Sequence, residues 1–316
     1  MKPPVWKITL VLAIAVLAIS TSAIFGRLAF EAASTWALGF SLVLAASRLT
    51  LAALILLPTW GKVQLGQQSP RAILYAIAAG LFMAIHFPAW ITSLGYTSIA
   101  ASTTLVTTIP IWVSLLAWIW FREKITSTSA TGIAIAIAGG ILIGFGDAGS
   151  GDPGSNPLLG NFLALIGAWA ASFYMLLGRE AQRQGISLGG YIAVAYSTAA
   201  LVLLPMPFLF GGSYAGHPPP VYLYILLMAI LPQLVGHTGL NWALLWISPT
   251  SVALSALFEP VGASFLTYLL FGEIPTIQVF AGAVLLLAGV AVVAIALRAR
   301  YAIGHGTRIQ GHKKEL

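Results

Sequence analysis

Long apolar runs follow one another along the chain, and short stretches between them hold most of the charged residues. A helix of about 20 apolar residues spans the bilayer's hydrocarbon core, which is about 30 Å thick. These runs are apolar at successive positions, whereas strands of a membrane β-barrel would alternate with polar residues. The pattern therefore predicts an all-α membrane protein with ten transmembrane helices. The predicted spans are 8–26, 35–58, 72–95, 98–121, 128–146, 158–178, 188–210, 221–245, 248–271 and 277–297.

Composition favours the same class. The chain is 59% hydrophobic and 7% charged, whereas soluble domains contain about 25% charged residues. The first run follows a basic start and resembles a signal peptide. We expect it to stay as the first span, because removing it would break the charge pattern of the remaining spans.

The positions of Lys and Arg predict the orientation. If the N-terminus is cytoplasmic, 13 of the 15 Lys and Arg residues fall on the cytoplasmic side, and only Arg27 and Arg48 do not. Cytoplasmic loops are enriched in basic residues, so we expect both termini to be cytoplasmic in a multi-pass protein of the bacterial inner membrane. The net charge of +7 then comes from scattered residues at the membrane edge, which argues against nucleic acid as a partner.

The second half of the chain repeats the first at a separation of 150 residues. Matching pairs include Pro110 with Pro260, Phe121 with Phe271, Glu123 with Glu273, Gly132 with Gly282 and Gly139 with Gly289. Five spans per copy is an odd number, so the two copies run in opposite directions through the membrane. Inverted repeats are a transporter architecture whose substrate site lies between the repeats near the midplane. We expect a first repeat at 8–146, an external linker at 147–157, a second repeat at 158–297 and a cytoplasmic basic tail at 298–316.

Signals for catalysis are nearly absent from the sequence. There is no cysteine, and the five histidines do not fall at metal-ligand spacing. A G-x-G-x-x-G match at 144–149 ends a membrane helix, whereas the dinucleotide motif joins a strand to a helix. We therefore expect no enzymatic activity, no cofactor and no bound metal.

Glu259 is an acidic residue inside an apolar span, and Ile109 stands at the matching place in the first repeat. A charge at the bilayer centre costs about 2.5–3.5 kcal/mol on insertion scales, so such residues usually face the bundle interior or a water-filled cavity. Ser251, Ser255 and Gly262 lie on the same helix face. Glu259 is thus a candidate substrate-binding residue. The alternative is a protonated or paired structural acid at a helix contact.

Pro260 follows Glu259, and Pro110 is its counterpart. Proline has no N–H, so it leaves the carbonyl four residues earlier without its helical partner and can kink the helix. The carbonyls concerned are those of Ala256 and Val106. Freed carbonyls beside a carboxylate are suited to a cation or an ammonium group.

Arg48 lies midway along the second predicted span. Two roles remain open for it: binding a substrate carboxylate, or neutralising Glu259 in a structural ion pair, since an unpaired arginine at the midplane is so unfavourable. Arg27 lies near the outer membrane boundary, where its side chain can reach the interface.

Two pairs of residues share a helix face because they are four positions apart. They are His86 with Trp90 and His237 with Asn241. Histidine can exchange a proton near neutral pH, and tryptophan can hold a cation or stack on a flat ligand. The alternative for both pairs is interhelical hydrogen bonding. We expect His86, Trp90, His237, Asn241 and Glu259 to line one central space.

Several of these motifs together resemble the EamA-type transporters of the drug/metabolite transporter superfamily. The second half carries Gly236-His237-Thr-Gly-Leu-Asn241-Trp242, Ser248-Pro249-Thr, Glu259-Pro260-Val-Gly262-Ala263 and Phe271-Gly-Glu273, and the first half carries Tyr96-Thr97-Ser98, Pro110 and Phe121-Arg122-Glu123. Arg48 resembles an arginine common in the second span of that family. The resemblance covers about residues 8–297.

The resemblance implies a ten-helix secondary transporter that moves small metabolites, often outward from a bacterial cytoplasm. Gly239-Leu240-Asn241 is followed by Trp242, not by the lysine of nucleotide-sugar relatives, which disfavours a sugar-nucleotide substrate. We expect export of a small amino-acid-like or amphipathic solute, with coupling to protons left open. The alternatives are an uptake permease of the same fold and a membrane binding or scaffold protein that transports nothing.

Overall fold

The computed structural model describes residues 3–60, 66, 68–121, 125–147, 156–247, 252 and 255–312, and all regular secondary structure in these ranges is helical. Each of the ten predicted apolar runs contains helix. The helices are α1 (Val5–Ala33), α2 (Leu38–Ile55), α3 (Pro70–Ser93), α4a (Ile99–Val106), α4b (Ile109–Phe121), α5 (Ser127–Asp147), α6 (Pro157–Arg183), α7 (Leu188–Leu203), α8a (Pro219–Met228), α8b (Thr238–Ala243), α9 (Glu259–Phe271) and α10 (Ile277–His312). A π-helical segment, Ala229–His237, joins α8a to α8b.

Within the described ranges, six helical segments are by length and composition able to cross a membrane. They are Val5–Ala33, Leu38–Ile55, Pro70–Ser93, Pro157–Arg183, Leu188–Leu209 and Pro219–Ala243. Large apolar side chains such as Leu17, Leu74 and Phe265 are on the outside, with 61–68% of their surface exposed, while Arg48 and Gln233 are fully buried. Water would favour the reverse arrangement, whereas lipid favours this one. The protein is therefore an all-α, multi-pass membrane protein, and the count of ten spans stays a prediction.

Two helices are interrupted at positions that are 150 residues apart. Residues 107–108 separate α4a from α4b, and residues 257–258 form a turn directly before α9. The backbone hydrogen bonds at the two breaks match: Thr108 N–H donates to Leu105 O at 3.2 Å, and Phe258 N–H donates to Ser255 O at 3.2 Å. The prolines are the second residues of α4b and α9, where a missing N–H is tolerated. The predicted proline kinks are confirmed, and they are full helix breaks.

The first helix of each half packs against helices of the other half. α1 packs on α8 and α9 of the second half, while α6 packs on α3 and α4 of the first half. α5 packs along α10, where a Cβ on Gly132 would lie 2.7 Å from Gly289 O and a Cβ on Gly139 would lie 2.6 Å from Gly282 O. Moving along α5 from Gly132 to Gly139 means moving back along α10 from Gly289 to Gly282, so α5 and α10 are antiparallel. Glycine at these four positions lets the two backbones approach closely.

Some sequence predictions concern residues outside the described ranges. These are the basic motif at 122–124, nearly all of the linker at 147–157, the motif at 248–250, and Ser251. The predicted tail at 298–316 begins as a continuation of α10, which ends at His312.

Candidate functional site

Arg48 of α2 is held inside the protein by three neutral residues. Its Nη1 donates to Ser22 Oγ at 2.9 Å, and its Nη2 donates to Gln233 Oε1 at 3.0 Å. Its Cζ lies 4.3 Å from the centre of the Phe87 ring, which is a cation–π distance. Among the residues that the structure describes, Glu259 is not an ion-pair partner of Arg48. The guanidinium thus joins α1, α3 and the π-helical segment to α2.

Four rings meet beside Arg48, and we call them the aromatic group: His86, Phe87, Tyr174 and His237. The His237 ring centre lies 5.1 Å from that of Phe87 and 6.3 Å from that of His86. The Tyr174 hydroxyl is 3.2 Å from His237 Nδ1. His86 Nδ1 is 2.9 Å from Gly167 O, so this nitrogen carries the proton, because a carbonyl can only accept. The two histidines predicted from different halves are therefore neighbours.

Glu259 is the first residue of α9 and is partly exposed. The free N–H groups at a helix N-terminus favour a negative charge, which suits a carboxylate at this place. The main-chain carbonyl of Glu259 lies 3.3 Å from Ser20 Oγ of α1, two residues before Ser22, which accepts from Arg48. Gly262, predicted on the same helix face, lies against α1, since a Cβ there would be 2.5 Å from Ser20 Oγ. Glu259 thus belongs to the surroundings of Arg48 without bonding to it.

Trp90 and Asn241 are buried next to the aromatic group. Trp90 lies against α6: if Gly167 had a Cβ, that atom would be 3.3 Å from the Cβ of Trp90. The indole Nε1 of Trp90 has no hydrogen-bond partner among the described residues. Asn241 Nδ2 donates to His237 O at 2.8 Å, within its own helix. Both side chains are packed between helices, and their role in binding substrate stays a prediction.

Gln233 and Tyr174 are site residues that sequence reasoning missed. Gln233 is fully buried and binds Arg48, and Tyr174 binds His237. Gln233 lies near the middle of the eighth predicted span, so the signal that singled out Glu259, a polar residue inside an apolar run, applies to it as well. Tyr174 gives no such signal, because tyrosine is common in membrane helices.

Arg27 lies in an ion-pair network at the far end of α1. Its Nε is 3.1 Å from Glu31 Oε1, and its Nη2 is 3.0 Å from Glu273 Oε1. Its Cζ lies 5.1 Å from the centre of the Trp36 ring. The network connects α1 to the loop after α9. In the part of the chain that the structure describes, these contacts of Arg27 and those of Arg48 have no residue in common.

The family of the chain follows from a match that covers most of its length. The model of the EamA-like transporter family matches residues 6–145 and again residues 158–295. The chain belongs to the EamA-like transporter family. Its membership makes the protein a membrane transporter and confirms the resemblance seen in the motifs.

Individual members and a solved structure agree with this family. The chain is 26% identical over 281 residues to "Uncharacterized transporter YxxF" of Bacillus subtilis (strain 168), covering 85% of each protein. It is also 26% identical over 214 residues to "Uncharacterized transporter YdfC" of the same organism, covering 66% of this chain and 67% of that protein. A solved structure titled "Crystal structure of protein" matches 93% of this chain and 98% of its own, with a TM-score of 0.62 and 19% identity. At that identity, the structural match shows the fold alone.

Proposed function

We propose that this EamA-like transporter is a secondary transporter that exports a small amino-acid-like or amphipathic metabolite across the bacterial inner membrane by alternating access. Its ten spans form two inverted repeats, 8–146 and 158–297, joined by an external linker at 147–157. Both termini are cytoplasmic. The solute and the bilayer are its partners, and it uses no cofactor.

The matched helix breaks at 107–108 and 257–258 carry this proposal. Broken helices near the midplane of inverted repeats form the substrate and coupling-ion sites of many secondary transporters. The exchanged packing of α1 with α8 and of α6 with α3 supports two repeats related by a pseudo-twofold axis. Phe87 and His237, whose rings touch, are 150 residues apart, as expected for equivalent positions that meet at such an axis.

We assign the substrate site to the residues around these breaks. Glu259, His237, Asn241, His86, Trp90 and Arg48 are the proposed substrate-binding residues. The aromatic group provides flat apolar walls, and a few polar groups fix the orientation of the solute, which is the usual design of small-molecule sites. Glu259 is the proposed site of proton exchange, because it is the carboxylate of this group.

Solute counterflow in proteoliposomes tests the proposal. Purified protein is reconstituted, loaded with one unlabelled metabolite at a time, and supplied with a trace of the labelled form outside. Transient accumulation of label that protein-free liposomes lack is the expected result. Saturable binding without counterflow would make the protein a binding or scaffold protein. Accumulation in intact cells that exceeds that of a deletion strain would make it an uptake permease.

A further inference from the structure

Besides Trp90 Nε1, two buried hydrogen-bond donors on directly bonded side chains next to the aromatic group have no partner among the described residues. They are Arg48 Nε and Gln233 Nε2. Both side chains are fully buried, with 0% of their surface exposed. The two side chains are directly bonded through Arg48 Nη2 and Gln233 Oε1 at 3.0 Å. The unpartnered donors therefore belong to one unit, which we call the Arg48–Gln233 pair.

Packing alone does not account for this pair. A buried donor without an acceptor destabilises a folded protein by about 1–3 kcal/mol, more for a charged group, and the pair has two such donors. A buried arginine in a membrane protein usually faces a carboxylate or a backbone carbonyl. Here its contacts are the Ser22 hydroxyl, the Gln233 amide and the Phe87 ring. A purely structural arginine that is fully buried would be expected to have its charge and all its N–H groups matched.

The local backbone adds a second indication. Gln233 lies in the π-helical segment, directly after Pro232. Such segments are rare and occur frequently at functional sites. The main-chain carbonyl of Gln233 accepts from Tyr196 Oη and from Thr238 Oγ1, both at 3.4 Å. Its side-chain Oε1 accepts from Arg48, and its Nε2, which has no partner among the described residues, remains available to a ligand.

We infer that the Arg48–Gln233 pair binds a carboxylate group of the transported solute. This inference rests on the proposed function and names the part of the solute that the site recognises. A carboxylate has two oxygen atoms, so it can accept from Arg48 Nε and Gln233 Nε2 together, and it neutralises the guanidinium. Hydrogen bonds between charged groups are about twice as strong as neutral ones. The pair therefore distinguishes a free acid from its amide, which has the same shape and no charge.

Thermal unfolding of the purified full-length protein tests the inference directly. The probes are the twenty common amino acids and the matching amino acid amides. A ligand that binds only the folded state raises the melting temperature. We expect at least one free acid to raise it, and the matching amide to bind about tenfold more weakly or worse.

Gln233→Glu is the decisive variant, because it places a carboxylate of the protein itself against Arg48. Its melting temperature without ligand should equal or exceed that of the wild type, since the buried cation gains a charged partner. The binding of the acid should fall about tenfold or more, to the level of the amide. Gln233→Met, which has a similar shape and no amide, should also lose the discrimination, so the test does not depend on one variant. Gln184→Glu, the same exchange at an exposed position at the end of α6, should behave as the wild type.

The outcomes separate this inference from the proposed function. If acids and amides bind equally well and counterflow persists, the solute is not recognised by its carboxylate and the inference is wrong while the transporter stands. A Gln233→Glu variant with wild-type affinity for the acid overturns the inference in the same way, because Gln233 would then only hold Arg48 in place. If no probe binds and no solute shows counterflow, the proposed function fails and the inference fails with it.

Discussion

Ser20 of α1 and Ser172 of α6 make the same two contacts in opposite halves of the protein. Ser20 Oγ lies 2.9 Å from Val16 O in its own helix and 3.3 Å from Glu259 O. Ser172 Oγ lies 2.8 Å from Ala168 O and 3.3 Å from Ile109 O. Glu259 and Ile109 are matching positions of the repeat and the first residues of α9 and α4b. Each half therefore bonds a serine to the helix break of the other half.

Ser20→Ala and Ser172→Ala should destabilise the protein to a similar degree. Ser20→Ala and Ser172→Ala each remove the donor to a carbonyl at a helix break, so each should lower the free energy of unfolding by about 0.5–1.5 kcal/mol. Thr198→Val is the control: Thr198 bonds Val194 O in its own helix, where an intact backbone ladder remains, and it should have a smaller effect. Chemical unfolding in detergent measures all three. A loss confined to one serine would argue against equivalent roles.

Replacing Ser20 and replacing Ser172 should shift the balance between the inward-open and outward-open states in opposite directions. Inverted repeats exchange their conformations between the inward-open and outward-open states. Weakening the contact of α1 with α9 and weakening that of α6 with α4 should therefore favour opposite states. Alkylation rates of single cysteines placed on the two sides of the membrane report the bias, and equal shifts in the same direction would contradict the inverted relation.

Glu259→Gln should fold and reach the membrane, yet lose transport. The exchange keeps the shape of the side chain and removes its charge, and Ile109 shows that packing at the equivalent position needs no carboxylate. We expect counterflow to fall about tenfold or more, equivalent to about 1.4 kcal/mol. Glu31→Gln, which removes a more exposed carboxylate from the Arg27 network, is the matched control.

Two outcomes would assign Glu259 another role. Counterflow at the wild-type rate across the pH range would exclude a transport function for the carboxylate. Failure to accumulate, with recovery in an Arg48→Gln double variant, would instead make Glu259 a structural counter-charge of Arg48.

Alanine at Gly139 and at Gly289 should destabilise the protein to a similar degree. A Cβ would lie 2.6 Å from Gly282 O at the first position and 2.5 Å from Ala136 N at the second, and overpacking of this kind typically costs about 1–3 kcal/mol. Gly140→Ala is the control from the same helix, because the nearest atoms to its Cβ would be 3.8 Å away. Melting temperatures in detergent test the prediction, and a wild-type value for Gly139→Ala would refute the close contact of α5 with α10.

The linker at 147–157 should be accessible only from outside the cell. The chain contains no cysteine, so a single cysteine introduced into it can be labelled without background labelling of native thiols. An impermeant maleimide should label Ser150→Cys in intact cells and should label Arg183→Cys only after the membrane is opened. Protection of Ser150→Cys in intact cells would reject the proposed orientation.

The sequence by itself determined the membrane class, the apolar helical runs and the positions of the two proline kinks. Lipid demands long apolar helices, and proline removes a hydrogen bond wherever it stands, so both effects are local and can be recognised in Pro110 and Pro260. The 150-residue register also matched Gly132 with Gly282 and Gly139 with Gly289. The structure showed that these four glycines face each other between α5 and α10, with Gly132 beside Gly289 and Gly139 beside Gly282.

The tertiary structure decided what surrounds each buried polar group. The sequence left two roles open for Arg48, binding a substrate carboxylate and pairing with Glu259. The structure places Ser22, Gln233 and Phe87 around it, and among the described residues it shows no ion pair between Arg48 and Glu259. These residues come from α1, the π-helical segment and α3, so their meeting depends on how these three segments pack against α2. His86 and His237 became neighbours for the same reason. The pattern along a chain shows which side chains must leave the lipid, whereas the relative rotation and depth of packed helices determine which of them meet.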